Sequence, residues 1–152
     1  INYFNTIISK YNKIYLIANS IGAYFSLISL IDMPIEKAML ISPIIDMESI
    51  ILNMMKCENI TEDKLMSEKE IETSFGESLS WEYLSYIRKN TIHWDIPTNI
   101  LFADNDNMTS VDTMTNFANK INANLTTMKD GEHWFHTDEQ MKFLDNLFKE
   151  MI

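Results

Sequence analysis

Residues that could together form a nucleophilic catalytic site occur at three places in this chain of 152 residues. Ser20 lies in the sequence Ala-Asn-Ser-Ile-Gly, Asp104 and Asp106 lie in Ala-Asp-Asn-Asp-Asn, and His133 lies in Gly-Glu-His-Trp-Phe. A serine hydroxyl is a weak nucleophile at neutral pH unless a base takes its proton and a third group orients that base. The chain order Ser, Asp, His is one in which such triads occur, and the combination is far more specific than any of its parts.

The elements that must position these residues alternate between strand and helix. Buried strands rich in β-branched residues and amphipathic helices in this order predict an α/β fold, with a mostly parallel sheet flanked by helices. In such sheets functional residues collect at the carboxyl ends of the strands, and all three candidate segments follow predicted strands. The predicted strands are 13–19, 37–42, 99–103 and 125–128, and the predicted helices are 1–12, 21–31, 109–121 and a last helix from about Thr137.

The segment around Ser20 passes directly from strand to helix. A turn this tight strains the backbone of its central residue and requires small neighbours, and Ala18 and Gly22 are small. Ser20 would then project its hydroxyl at the N-terminus of the helix, where the backbone N–H of Ile21 can face a developing oxyanion. The competing interpretation is that Ser20 is an ordinary N-cap, followed by a helix that happens to contain a glycine.

The acid and the histidine follow the last two predicted strands. Asp106 and His133 are 27 positions apart, enough for one helix and one strand, so their loops are predicted to emerge side by side. On the residues alone the acids could instead be turn formers, and His133 could be a loop histidine with a structural partner. His136, at the mouth of the last helix, is a rival for the role of base.

These segments resemble the C-terminal part of the α/β-hydrolase-fold serine hydrolases, and the resemblance covers nearly the whole chain. The small-x-Ser-x-Gly elbow is present, with Ala18 where Gly is commoner. Ala103 replaces Gly in the Gly-x-x-Asp acid loop, a spacing that points to Asp106 rather than Asp104. Gly131 and His133 match the Gly-x-His loop before the last helix.

The resemblance implies a serine hydrolase that forms an acyl-enzyme. Ser20 would be the nucleophile, His133 its base and Asp106 the group that orients His133, while the N–H of Ile21 would bind the oxyanion. An ester or thioester is the implied substrate, and no cofactor or metal is implied. That family has several strands before the elbow and takes a second oxyanion donor from an earlier loop. Because the sequence starts with Ile1, we interpret it as a partial fold from the elbow onward.

The predicted domain organisation is a partial hydrolase core with an inserted cap. Residues 1–46 and 94–152 carry the strand and helix alternation, whereas 47–93 are rich in Glu, Lys, Met and Leu and predict two or three helices without strands. We expect Met54 and Met55 in this insert to contact an apolar acyl or alcohol group, because methionine adapts to varied ligands. The alternative is that each is core filler of a helical layer.

Composition excludes several other functions. The formal net charge of −10 repels nucleic acid and anionic lipid surfaces. The uncharged run 14–31 is interrupted by Asn19, Ser20 and Gly22 and is interpreted as strand plus helix rather than a membrane span. A single cysteine, Cys57, and no signal sequence in these residues favour a cytoplasmic location.

Two other functions are consistent with the same residues. A non-catalytic hydrolase-like domain would assemble with a missing N-terminal segment through an exposed sheet edge. A flavodoxin-like signalling domain would carry acidic residues after the first strand, where Ser20 and its neighbours are uncharged, so it ranks last. A metal site at His133 and His136 is also disfavoured, because their i, i+3 spacing is not the i, i+4 spacing of the His-Glu-x-x-His zinc motif and no pair of cysteines is present.

Overall fold

A computed structural model describes the backbone of residues 2–151 and the side chains of residues 4–149. Ile1, on which the interpretation as a partial fold partly rested, lies outside the described residues. The chain divides into two compact units. Ile1–Ile45 with Ile92–Ile152 form the sheet unit, and Asp46–Thr91 form the insert unit.

The elements follow one another as the sequence pattern predicted, with an added hairpin. In chain order they are α1 Asn2–Ile8, β1 Tyr15–Asn19, α2 Ser20–Ser29, β2 Lys37–Ile41, α3 Met47–Cys57, α4 Glu62–Glu68, β3 Glu70–Glu72, β4 Ser78–Ser80, α5 Trp81–Lys89, β5 Thr98–Ala103, α6 Val111–Lys120, β6 Asn124–Met128 and α7 Asp138–Met151.

The sheet unit contains a four-stranded sheet in the order β1-β2-β5-β6, and every neighbouring pair is parallel. This confirms the predicted α/β class with a parallel sheet. Five of the six residues in β5 are buried, as expected of an inner strand covered on both faces. β1 lies at an edge of the sheet and pairs with β2 alone among the described residues.

Helix α7 covers one face of this sheet. Residues paired in register point to the same side of a parallel sheet, so Met39, Leu101 and Met128 share one face with Ile41 and Ala103. These five side chains form a buried cluster with Phe135. The residues of α7 that pack against it are Phe143, Leu144, Leu147 and Phe148.

Two helices of the sheet unit, α6 and α7, begin after side-chain caps. The sequence predicted that α6 begins at Thr109, but Ser110 is its N-cap, and Ser110 Oγ accepts the N–H of Thr113. At α7 the predicted start near Thr137 is confirmed. Thr137 Oγ1 accepts the N–H of Gln140, and the side chain of Gln140 accepts the N–H groups of His136 and Thr137.

The insert unit contains three helices and also a hairpin, so the prediction of helices without strands was wrong. β3 and β4 pair antiparallel, with Ile71 opposite Leu79. Each strand has three residues, too few for alternation to be visible in the sequence. The turn between them is fixed by Thr73 Oγ1, which donates to the carbonyl of Glu77, and by Gly76 at φ 89°.

An ion-pair network also ties the helices of the insert unit together. Arg88 of α5 donates to Glu48 of α3 at 2.6 Å and to both carboxylate oxygens of Glu62 of α4, at 2.6 and 2.8 Å.

The apolar run at 14–31 forms β1 and the ten-residue helix α2. Within residues 2–151, none of the helices has the length and apolar character needed to cross a membrane.

Candidate active site

Ser20 occupies the strained turn that the sequence predicted. It follows β1 directly as the first residue of α2, and its φ is 49° although it has a side chain. A left-handed conformation in a residue other than glycine costs on the order of 1 to 3 kcal/mol and occurs mostly where it serves a site. The interpretation of Ser20 as an N-cap was wrong, because Asn19 holds that position and Ser20 Oγ bonds elsewhere.

Ser20, His133 and Asp106 form one hydrogen-bonded chain. Ser20 Oγ lies 2.8 Å from His133 Nε2, and His133 Nδ1 lies 2.7 Å from Asp106 Oδ2. A carboxylate can only accept, so Nδ1 carries the proton and Nε2 is left to accept the hydroxyl proton of Ser20. The side chains of His133 and Asp106 are 3% and 1% exposed, which shields the contact between them from water.

Asp106 is held as a carboxylate by further donors in its own loop. Its Oδ1 accepts the backbone N–H groups of Met108 at 2.7 Å and Thr109 at 3.2 Å. Burial on its own raises the pKa of Asp106, but the hydrogen bond from His133 and these two backbone N–H groups outweigh burial, so the pKa lies below its ordinary value. Asp106 is therefore ionised at neutral pH and can stabilise a positively charged His133.

The two loops that carry the acid and the histidine are fastened to each other. β5 and β6 are neighbours, and beyond their ends the N–H of Asn105 donates to the carbonyl of Gly131 at 3.1 Å. A Cβ added to Gly131 would lie 3.2 Å from the Cβ of Ala103 and 3.2 Å from the Cγ of Met128. Close packing therefore favours glycine at this position.

Gly22 does not share this explanation. The sequence predicted that the tight turn requires a small residue at Gly22, but a Cβ there would meet no atom within 4 Å. That expectation was wrong for the residues described, since Gly22 faces open space on α2.

The rival residues do not join the chain of hydrogen bonds. Asp104 is exposed, and its backbone N–H bonds to the carbonyl of Met128. The side chain of His136 is 61% exposed, with Nδ1 3.3 Å from Glu132 Oε2. Among the residues that the structure describes, no three His, Cys, Asp or Glu side chains are grouped as ligands of a metal ion.

The remaining predicted site residues are placed less directly. Ile21 follows Ser20 in the first turn of α2, where backbone N–H groups lack a partner four residues earlier in the helix. Met54 and Met55 lie on α3 in the insert unit, Met54 half-buried and Met55 3% exposed. Their contact with substrate stays a prediction.

Sequence reasoning missed two features of this site. The N–H groups of Met108 and Thr109 on Asp106 follow from an Asp that caps its own loop, a signal present in the Asp-x-x-Thr spacing. The second is Trp134, which is 71% exposed and whose ring centroid lies 5.1 Å from that of His133. Nothing in a single sequence marks a tryptophan as exposed.

Comparison with known proteins finds likeness in structure only. No protein-family model matches the chain, and no curated protein sequence does. Est1E from Butyrivibrio proteoclasticus is 15% identical with a TM-score of 0.76, and the match covers 99% of this chain and 64% of Est1E. A second Est1E structure has ferulic acid bound.

Two further structures agree with that likeness. A hydrolase from Agrobacterium vitis S4, described as putative in its structure report, is 18% identical with a TM-score of 0.69, and the match covers 92% of this chain and 61% of that protein. Mouse alpha/beta hydrolase domain-containing protein 10 is 11% identical with a TM-score of 0.69, and the match covers 99% of this chain and 68% of the mouse protein. This chain thus has an α/β-hydrolase fold. It spans about three fifths of the length of the structures that it matches.

Proposed function

We propose that this chain carries the catalytic triad of a serine hydrolase that cleaves a carboxylic ester or thioester through an acyl-enzyme. The observation that carries the proposal is the continuous chain of hydrogen bonds from Ser20 through His133 to Asp106. The positive φ of Ser20 supports it, because strained backbone of this kind occurs mostly at functional sites.

The reaction follows from the donors and acceptors in place. Nε2 of His133 takes the hydroxyl proton of Ser20 as Oγ attacks the carbonyl carbon of the substrate, which gives a tetrahedral intermediate. The intermediate collapses by breaking the bond to the leaving group, and His133 returns the proton to that group. Water then attacks the acyl-enzyme with His133 again as base, releasing the acid and restoring Ser20. Asp106 stays ionised throughout and stabilises the imidazolium.

Ile21 is proposed to stabilise the negative oxygen of the intermediate. Its backbone N–H follows the nucleophile at the N-terminus of α2, where the helix dipole favours negative charge. One such donor is worth roughly 100- to 1,000-fold in rate. Backbone geometry, rather than the side chain of Ile21, would supply this effect.

The substrate proposal rests on the insert unit and on the comparisons. We propose that the insert unit is a cap and that Met54 and Met55 contact an apolar acyl or alcohol group. Ferulic acid bound to Est1E supports a carboxylic acid product, which the hydrolysis of either an ester or a thioester would release.

Exposed and unpaired Cys57 supports a reducing, cytoplasmic location, and the net charge of −10 makes nucleic acid an unfavourable partner.

A fluorophosphonate probe tests the proposal, because it reacts with an activated serine and adds a known mass. We expect the probe to label Ser20 in the wild-type chain and to leave Ser20→Ala unlabelled. Ser26→Ala is the matched control, since Ser26 lies on the same helix and donates to the carbonyl of Gly22. His133→Ala should slow labelling roughly 100- to 10,000-fold, whereas His136→Ala should label at the wild-type rate.

A second candidate function is a non-catalytic hydrolase-like domain that assembles with further strands. The outer edge of β1 favours it, because Tyr15 and Ile17 are about half exposed and the strand pairs only with β2 among the residues described. Labelling decides between the two candidates. A folded protein that includes those further strands and still does not react with the probe would overturn the hydrolase and leave the non-catalytic domain.

A further inference from the structure

An exposed apolar side chain stands beside each member of the triad. Ile21 follows Ser20, Met108 follows Asp106 by two positions, and Trp134 follows His133; each is 45% to 71% exposed. Two residues of chain span at most about 7 Å between Cα atoms, so the backbone of each lies close to one member of the triad. Apolar side chains concentrated at a site, rather than scattered singly over a surface, indicate an apolar ligand.

Trp134 is the most exposed of the three, and the backbone holds it there. Its neighbours His133 and Phe135 are buried at 3% and 2% exposure. The N–H of Phe135 donates to the carbonyl of Glu132 at 3.2 Å, and Phe135 has φ 47°. This strained turn buries the side chains of His133 and Phe135 and leaves the indole of Trp134 between them exposed. The exposure of Trp134 therefore follows from the backbone conformation of the loop.

The indole also touches the base. The rings of Trp134 and His133 are nearly perpendicular, at 85°, with centroids 5.1 Å apart. His133 Nε2 in turn lies 2.8 Å from Ser20 Oγ, so the imidazole that contacts the indole also contacts the atom that would become acylated. An edge-to-face contact with His133 uses one part of the indole and leaves the rest free to receive a second ring, in the offset or perpendicular arrangements that aromatic pairs prefer.

We propose that Trp134 determines the specificity of this site by binding an aromatic ring of the substrate ester. The inference rests on the proposed function, and it adds a substrate class: esters with an aryl group near the scissile carbonyl, in either the acyl or the alcohol part. Trp134 is a specificity residue and not a catalytic one, so the chemistry at Ser20 continues without it.

The test compares esters that differ only in the ring. Methyl 3-phenylpropanoate is paired with methyl 3-cyclohexylpropanoate, and 2-phenylethyl acetate with 2-cyclohexylethyl acetate. We expect a kcat/KM ratio in favour of the phenyl member of at least one pair. In Trp134→Ala that ratio should fall roughly two- to tenfold, the part of an aromatic contact that exceeds area burial, and Trp134→Phe should restore most of it.

A matched control separates this effect from loss of any exposed aromatic residue. Tyr11 is 63% exposed and precedes β1, at the opposite end of the strand from Ser20. Tyr11→Ala should leave the ratio unchanged. A phenyl preference that survives intact in Trp134→Ala, or no phenyl preference in the wild-type chain, would overturn the inference while leaving the triad assignment in place.

A binding measurement keeps the inference testable even if the chain does not turn over. In Ser20→Ala, which cannot form an acyl-enzyme, the indole N–H signal of Trp134 is followed by two-dimensional NMR and assigned from its absence in Ser20→Ala with Trp134→Phe. The phenyl esters should shift it more than the cyclohexyl esters. No shift would overturn the inference; a shift in a chain whose Ser20 never reacts with fluorophosphonate would overturn the hydrolase and retain aromatic binding.

Discussion

Gly131→Ala should weaken the packing between the loop that carries Asp106 and the loop that carries His133. The added Cβ would lie 3.2 Å from the Cβ of Ala103 and 3.2 and 3.3 Å from the Cγ and Cβ of Met128. Carbon atoms pack best at about 3.5 to 4.0 Å, so the loop must move out by a few tenths of an ångström. Ala103 is fully buried in β5 and cannot yield, and overpacking of this kind costs about 1 to 3 kcal/mol.

The expected result is a lower melting temperature together with a weaker site. For a chain of this size, 1 kcal/mol corresponds to roughly 2 to 4 °C in Tm. The movement also pulls on the hydrogen bond from Asn105 to Gly131, which fastens the loop of Asp106 to the loop of His133. Fluorophosphonate labelling of Ser20 should therefore slow measurably even at temperatures where the variant is folded.

Gly22→Ala is the matched control, since its Cβ would meet no atom within 4 Å and the residue lies in α2. Replacing a helical glycine by alanine there should stabilise the chain by roughly 0.5 to 1 kcal/mol. Both variants are followed by thermal unfolding monitored by circular dichroism. The reasoning is refuted if Gly131→Ala melts at or above the wild-type temperature, or if Gly22→Ala is the more damaging change.

Two further predictions concern charge. Because the pKa of Asp106 is below its ordinary value in the folded chain, its ionised form adds stability at neutral pH, and that contribution is lost as the pH falls below about 4. The difference in unfolding free energy between wild type and Asp106→Asn, measured by urea titration at several pH values, should therefore shrink in acid. A difference that stays constant with pH contradicts this prediction. Arg88→Met should destabilise the insert unit by no more than about 1 kcal/mol, because the pairs with Glu48 and Glu62 are partly exposed, and high salt should reduce the difference in urea midpoints; a salt-independent loss would show that packing is the cause.

The parallel sheet could be predicted because its two inner strands contain unbroken apolar runs. Residues 38–41 and 100–103 are short apolar segments bounded by prolines or polar residues, which few helices imitate. The hairpin Glu70–Glu72 with Ser78–Ser80 could not be predicted, because three-residue strands between helices contain one apolar residue each. Its formation depends on a turn held by a side-chain hydrogen bond, which local patterning does not reveal.

The sequence predicted which residues form the candidate site, but it did not predict how the neighbouring residues pack or how exposed they are. The order and spacing of Ser20, Asp106 and His133 indicated which residues would meet, since parallel strands place their ends at one edge of the sheet. Whether Gly22 packs closely or faces open space depends on atoms distant in sequence, and the prediction failed there. The exposure of Trp134 depends on a strained turn at Phe135, which no propensity indicates.

The span of chain enclosed by the triad bears on how the site forms during folding. Ser20 and His133 are 113 positions apart, while Asp106 and His133 are 27 apart. Contacts between distant positions must overcome the greater loop-closure entropy and tend to form late. β5, β6 and their two loops can therefore assemble the acid and base before β1 docks, and the nucleophile arrives last. Partly folded chains would be chemically silent, and the reactivity of Ser20 would mark the completed fold.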